Sequence, residues 1–198
     1  MSVEPFTERS FPVAAAGVVI AVAVNLLFSF IFPLTLGFPL FMDCIMTVAI
    51  TLFAGLVPGL VTGFAYNAIW ALVIASDPRQ ALFGLCSMAC ALTVFVSLKR
   101  RKERWLFLDL LLLSLWVCLV SSALGGIIST FAYQGIDHFP SDYIMAGMLM
   151  QDIPLAGAAI LARIPLNFID KTVAVFLGYG AFLLAGNLQA ARREREKS

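Results

Sequence analysis

The sequence predicts an all-α integral membrane bundle of about six transmembrane helices, formed by one domain over residues 1–198. Three observations predict this class. Of the 198 residues, 61% are hydrophobic and only 13% are charged. The mean hydropathy is +0.96, and the charges are clustered. A soluble domain of this size cannot bury so much apolar surface in its core. In a membrane, lipid covers the apolar faces of the helices, so they do not have to pack against other protein.

The charged residues are concentrated in two basic clusters, KRRKER at residues 99–104 and RREREK at residues 192–197. Only three charged residues occur between residues 11 and 98: Asp43, Asp77 and Arg79. Long uncharged stretches are expected to cross the membrane, and basic clusters are expected in cytoplasmic loops or tails. The balanced net charge of +1 argues against nucleic acid as a partner.

Six stretches are close to the roughly 20 apolar residues that cross a hydrocarbon core. In chain order, the predicted spans are 11–32, 40–57, 59–75, 81–98, 105–133 and 166–187. Six spans place both termini, the basic loop 99–104 and the tail 188–198 in the cytoplasm, as the positive-inside rule requires. We therefore expect the further apolar segment 143–162 to be an outer-face or partly inserted helix. Seven spans are the alternative.

Two stripes of small residues predict close helix packing. Gly55, Gly59 and Gly63 recur every fourth residue, so the second and third spans are expected to form a tight hairpin with a short turn. A second stripe in the first span consists of Ala14, Gly17 and Ala21. It has two interpretations, packing within the chain or docking onto a separate membrane subunit.

Polar groups inside membrane spans are costly, so each is a candidate for function. On the six-span topology, several converge in the outer half of the membrane and, with nearby aromatic residues, form a pocket suited to a flat heterocycle. The substrate-binding candidates are Asp43, Asn67, Trp70, Phe131, Tyr133, Asn167, Asp170 and Lys171. For Asp170 and Lys171 the alternative is a mutual or interfacial ion pair, with the lysine ammonium reaching towards water. Asn25 is expected to form an interhelical hydrogen bond.

The sequence contains no pattern typical of an enzyme. A Ser/His/Asp set, a His-rich metal cluster and a phosphate-binding glycine loop are all missing, so we assign no catalytic residue, cofactor or metal site. The single histidine, His138, lies in a predicted outer loop beside two aspartates and is weak evidence for a metal. Cys86 is a cobalt-ligand candidate only for a cobalamin substrate.

Two segments carry a resemblance to a known family. FPLFMDCIMTVAITLFAGLVPGLVTGFAYNAIW, at residues 38–70, resembles the second and third helices of substrate-capture (S) subunits of energy-coupling factor transporters. IPLNFIDKTVAVFLGYGAFLL, at residues 164–184, resembles the opening of their sixth helix, where riboflavin-type members have a similar Pro-x-Asn pattern. Asp170 stands where those members tend to have a basic residue, which argues against assuming riboflavin.

The resemblance implies a mechanism and a set of partners. Such a subunit binds a vitamin or related small heterocycle from outside and then topples in the cytoplasmic membrane on a coupling subunit driven by two ATPase subunits. Gly17 and Ala21 match the spacing of the family's docking surface, although its double-alanine form is missing. A solitary vitamin transporter of the same fold and a sensory membrane module are the alternatives. The residues do not discriminate among riboflavin, thiamine, biotin, cobalamin and a nucleobase.

Overall fold

The computed structural model describes residues 11–35, 40–100, 105–137 and 140–195. Within these ranges the chain is helical and contains no strand. The α-helices are α1 (Phe11–Ser29), α2 (Ile45–Ala54), α3 (Leu56–Ile69), α4 (Gly84–Arg100), α5 (Phe107–Tyr133), α6 (Ser141–Leu149) and α7 (Leu155–Arg195). π-Helical turns extend α1 to Thr35 and α3 to Ile74, and a 3-10 helix (Pro78–Phe83) precedes α4.

Five helical segments in the described part of the chain are long and apolar enough to cross a membrane. They are Phe11–Phe32, Leu56–Ile74, Pro78–Arg100, Phe107–Tyr133 and Leu155–Leu188. The predicted all-α membrane bundle is confirmed at this level, and the chain has the makeup of a multi-pass membrane protein.

The predicted second span, 40–57, differs in the structure. Residues 40–44 are not helical, and α2 contains only ten residues, Ile45–Ala54. At 1.5 Å per residue such a helix is about 15 Å long, half of a hydrocarbon core of about 30 Å. The apolar pattern could not reveal this, because the residues before Ile45 are buried like those of a helix.

The predicted separate helix 143–162 and the last span 166–187 are also corrected. The structure has a short α6, which ends at Leu149, and one continuous α7 from Leu155 to Arg195. Pro165 lies inside α7. Proline favours the first turn of a helix, so the sequence around it resembled a helix start, but membrane helices also tolerate an interior proline.

A glycine turn joins α2 to α3, as the sequence predicted. Gly55 has φ 97° and ψ −172°, a conformation that other residues rarely adopt. A Cβ on Gly59 would collide with the hydroxyl of Thr51, and one on Gly63 would lie 2.9 Å from the Ser87 carbonyl carbon. Gly59 therefore allows α3 to pack closely on α2, and Gly63 allows it to pack closely on α4.

The helices pack around a buried apolar core. Val48, Val94, Val117 and Val175, one each from α2, α4, α5 and α7, are all fully buried. The most extensive helix contact is between α5 and α7. The aromatic stack of Trp105 on Tyr179, with ring centroids 5.8 Å apart, lies at the end of the bundle where α5 begins.

The predicted interhelical role of Asn25 is confirmed. Its amide nitrogen donates to Thr47 Oγ1 at 3.2 Å, and its amide oxygen accepts from the Met46 backbone N–H at 2.9 Å. These two bonds run between α1 and the start of α2, so they join the first helix to the hairpin.

Some sequence predictions fall outside the described residues. These are the loop residues 36–39, the basic residues 101–104, His138 and the last three residues of the tail.

The contact between α5 and α7 generates a first prediction. A Cβ on Gly126 would lie 2.7 Å from Ile160 Cα and 2.8 Å from its backbone nitrogen, atoms that cannot move cheaply. We expect Gly126→Ala to destabilise the detergent-purified protein by about 1–3 kcal/mol, the usual cost of overpacking. The measurement is the midpoint of thermal unfolding.

Gly180→Ala in α7 is the matched control. An added Cβ there meets no atom within 4 Å, so the better helix propensity of alanine should leave the midpoint unchanged or raise it. Equal midpoints for both variants would contradict the close packing of α5 on α7.

Candidate functional site

A cavity opens at the end of the bundle where α3 and α5 end and α4 and α7 begin. It contains about 850 Å³ of space between protein atoms, counting its open mouth. Half of its polar lining residues come from α7, from α3 and from Asp43, which precedes α2. The lining residues are Phe41, Asp43, Tyr66, Asn67, Trp70, Gln80, Phe83, Cys86, Ser121, Gly125, Tyr133, Asp137, Ser141, Arg163, Leu166, Asn167 and Lys171.

One face of α7 forms a polar wall of this cavity. Arg163, Asn167 and Lys171 are spaced four residues apart, so they lie above one another on the same face of the helix. All three are buried. Lys171 lies near the middle of the apolar stretch Leu155–Leu188, so this polar wall extends deep into the bundle.

Two carboxylates hold the Lys171 ammonium. Its Nζ lies 2.8 Å from Asp43 Oδ1 and 2.7 Å from Asp170 Oδ2. The other oxygen of Asp170 accepts the backbone N–H of Met42 at 2.8 Å. Such a buried cluster offsets the cost of desolvating its charges only when the geometry is good and the remaining hydrogen bonds are made. It fixes the segment before α2 against α7.

A second buried ion pair joins α7 to the segment after α5. The Arg163 guanidinium contacts the Asp137 carboxylate and also donates to the Ala159 carbonyl at 2.9 Å. Burial raises the pKa of Asp137 to about 6, and the nearby Asp142 adds to this rise while the Arg163 charge opposes it. This pair holds residues 134–137 close to the cavity.

Aromatic side chains form the rest of the wall. Trp70 lies next to Tyr66, with ring centroids 6.3 Å apart, and Phe83 stacks on Tyr133 at 6.1 Å. Arg79, paired with Asp77, covers the Tyr133 ring at 4.5 Å and donates to the Ala132 carbonyl at 3.2 Å. These contacts fix the α3–α4 connection against the end of α5.

Two asparagines on the wall are anchored through serines. The amide of Asn67 donates to Ser87 Oγ at 2.9 Å, and Ser87 in turn lies 3.4 Å from Asp43 Oδ2. The amide of Asn167 donates to Ser122 Oγ at 2.9 Å. The amide of Asn67 also donates to the Gly63 carbonyl at 2.8 Å, and both asparagines line the cavity.

The structure brings together six of the eight predicted substrate-binding residues. They are Asp43, Asn67, Trp70, Tyr133, Asn167 and Lys171, all of which line the cavity. The other two do not. Asp170 is buried behind the wall and pairs with Lys171, as the alternative of a mutual ion pair predicted, but the lysine is buried and does not reach water. Phe131 is 83% exposed on the outside of α5.

The small-residue stripe of α1 faces the interior. Ala21 is fully buried, and Ala14 and Gly17 are partly buried. A Cβ on Gly17 would lie 2.8 Å from the side chain of Ile50 in α2. Gly17 and Ala21 therefore pack within the chain, the first of the two interpretations, and docking onto a separate membrane subunit stays a prediction.

Sequence reasoning missed the second ion pair. Arg163 is an arginine within an apolar run, and this signal could have identified it, because charges inside spans are rare and mark function. Asp137 was read as an ordinary loop residue. Gln80, Ser121 and Ser141 have no comparable signal, because such polar residues at helix ends and in spans are common.

Two further features of the described residues concern metal ligands and the Cys86 thiol. No group of three or more His, Cys, Asp or Glu residues in the described ranges could hold a metal ion. The Cys86 thiol lines the cavity but lies 3.8 Å from the Ser121 carbonyl, in a weak hydrogen bond. The charged and amide side chains of the cavity are held by ion pairs and hydrogen bonds.

Comparison with protein-family models, with curated proteins and with solved structures gives no match to this chain. The class of protein is therefore defined by its fold and site alone, as a multi-pass helical membrane protein with a polar cavity.

The Arg163–Asp137 pair generates a second prediction. Arg163→Met leaves a buried carboxylate without its partner, which costs about 3–5 kcal/mol. The loss should be larger at pH 8.0 than at pH 5.5. Asp137 has a folded-state pKa of about 6, above the ordinary value of about 3.9. The free energy of unfolding of the wild type therefore falls as the pH rises from about 3.9 to about 6. Without the guanidinium, the pKa rises further and the fall extends to higher pH.

The measurement is the thermal midpoint of the detergent-purified variants at both pH values. The double variant Arg163→Met with Asp137→Asn should recover much of the loss and show a weaker pH dependence. Arg163→Met with a midpoint equal to that of the wild type at pH 8.0 would contradict a buried, energetically coupled pair.

Proposed function

We propose that this chain is the membrane-embedded substrate-capture subunit of an energy-coupling factor importer. In this role it binds a vitamin or related small heterocyclic micronutrient from outside the cell, and partner subunits drive uptake with ATP. The observation that carries the proposal is the cavity itself. Charged, amide and aromatic side chains line it together, inside a bundle that is otherwise apolar.

The composition of the cavity supports capture of a small, flat molecule. Charged and amide groups on the floor and one wall give orientation, while Trp70, Phe83 and Tyr133 offer apolar area. Ion pairs at this depth are costly to desolvate and are retained mainly where they serve a ligand or a unique structure.

The orientation in the membrane is part of the proposal. α4 ends at Lys99 and Arg100, which begin the basic cluster, and this end of the bundle is opposite the cavity. The positive-inside rule then puts the basic end in the cytoplasm and opens the cavity to the outside. The termini are cytoplasmic in this orientation, since α1 begins and α7 ends at the basic end.

The proposed partners are a membrane coupling subunit and two ATPase subunits. Because Gly17 lies against Ile50 of α2 and Ala21 is fully buried, we expect the coupling subunit to contact mainly other surfaces of the bundle. No chemical step is assigned to the chain, whose contribution is to bind the substrate and to move with it.

The proposal predicts that a small molecule remains bound after purification. We expect mass spectrometry of the detergent-purified protein, expressed in cells grown on rich medium, to detect a near-stoichiometric heterocycle. Trp70→Ala should reduce the bound amount at least about fivefold, because it removes aromatic contact area in the cavity.

Phe131→Ala is the matched control, since it removes an aromatic side chain that is 83% exposed outside the cavity. Its ligand content should equal that of the wild type. Protein that is empty in repeated preparations, or equal loss from both variants, would count against substrate capture at this site.

A further inference from the structure

Among the described residues around the cavity, the charges do not balance. The buried carboxylates of Asp137 and Asp170 and the partly buried one of Asp43 face two cations, Lys171 and Arg163. Their side chains are between 2% and 14% exposed. An uncompensated charge in a poorly solvated site is costly unless a partner of opposite charge joins it. The cavity therefore favours a ligand that brings positive charge.

Asp43 is the carboxylate placed to meet that charge. Asp170 has one oxygen on Met42 N–H and the other on Lys171, and it does not line the cavity. Asp43 does line it and is the most exposed of the three carboxylates. Its Oδ1 is paired with Lys171. In the described part of the chain its Oδ2 accepts only from the Ser87 hydroxyl at 3.4 Å, which is long for such a bond.

The two cations of the cavity are already neutralised. Lys171 is held between two carboxylates, and Arg163 is paired with Asp137. Neither is left to attract an anionic ligand without first breaking a buried pair, which is costly. An anion is therefore disfavoured at the same place where a cation is favoured.

Two unpartnered hydroxyls give independent evidence of a ligand. Ser121 and Ser141 both line the cavity and are only 4% and 1% exposed. Their Oγ atoms have no hydrogen-bond partner among the described residues. A buried hydroxyl without a partner costs about 1–3 kcal/mol, so these two atoms are expected to bond with something that enters the cavity.

The aromatic walls suit the same ligand. The faces of Trp70 and Tyr66 carry negative electrostatic potential, and a flat cation gains about 0.5–2 kcal/mol over such a ring beyond its apolar contact. A neutral ring of the same shape keeps the contact area and loses this attraction.

We propose that the cavity binds a flat heterocycle with a fixed positive charge, placed against Asp43 Oδ2 and between the aromatic walls. The proposal rests on the capture function above and narrows its substrate to organic cations.

Three probes of one shape and different charge test it: N-methylquinolinium, quinoline, and quinoline-2-carboxylate. Binding to the detergent-purified protein is measured by calorimetry at pH 7.5, where quinoline is neutral. The cation should bind at least about tenfold more tightly than quinoline, and the carboxylate most weakly. Equal or tighter binding of quinoline or of the carboxylate, or no binding by any of the three, would overturn the proposal.

Two matched variants locate the charge. Asp43→Asn should weaken binding of N-methylquinolinium at least about tenfold and change quinoline binding less than about twofold. Asp152→Asn removes an exposed carboxylate in the loop after α6, where a positive φ of 59° also suits asparagine, and it should change neither. An equal effect of Asp43→Asn on both probes would indicate a structural role and overturn the assignment.

The probe-binding results can be distinguished from a failure of the proposed capture function. A neutral or anionic nutrient found in the purified protein would support capture and overturn the charge preference. Protein that is empty as purified counts against capture, and the ranking of the three probes still decides whether the cavity selects cations.

Discussion

The bundle depends on one electrostatic constraint, the attachment of residues 42 and 43 to α7. A non-helical segment among apolar helices leaves backbone groups that lipid cannot satisfy. Asp170 accepts the Met42 N–H, and Lys171 binds both Asp170 and Asp43. These bonds allow α2 to begin halfway along the bundle. The space that a full-length second helix would occupy is then available for the cavity, so the short helix and the cavity have the same origin.

Much of the site could be predicted because polar residues stand out in apolar runs. Asp43, Asn67 and Asn167 were identified in this way. Helix geometry explains one error, since residues two apart on a helix point about 200° apart, and Phe131 and Tyr133 therefore cannot both face one cavity. The pairing of Arg163 with Asp137 joins a helix to a loop, and such a contact has no local pattern in the sequence.

The errors of the fold prediction have a similar cause. Hydropathy reports which residues avoid water, but not whether they are helical, so the buried segment before Ile45 was read as part of a span. At Pro165 a local preference for a helix start was overruled by the continuous packing of α7 against α5. By contrast, the glycine hairpin was predicted correctly, because small residues at every fourth position have few other uses in a membrane.

The length of α7 has a mechanical consequence. From Lys171, at the floor of the cavity, to its last residue Arg195, the helix extends about 36 Å at 1.5 Å per residue. A tilt of about 5° at the cavity would displace the far end by about 3 Å, which is close to half a helical turn. Pro165, where the helix lacks one hydrogen bond, lies on the other side of Lys171 and leaves this stretch uninterrupted. A small tilt of α7 at the cavity is thus enlarged at its other end. The segment up to Lys171 forms part of the cavity wall, and the longer segment after it extends to the opposite end of the bundle.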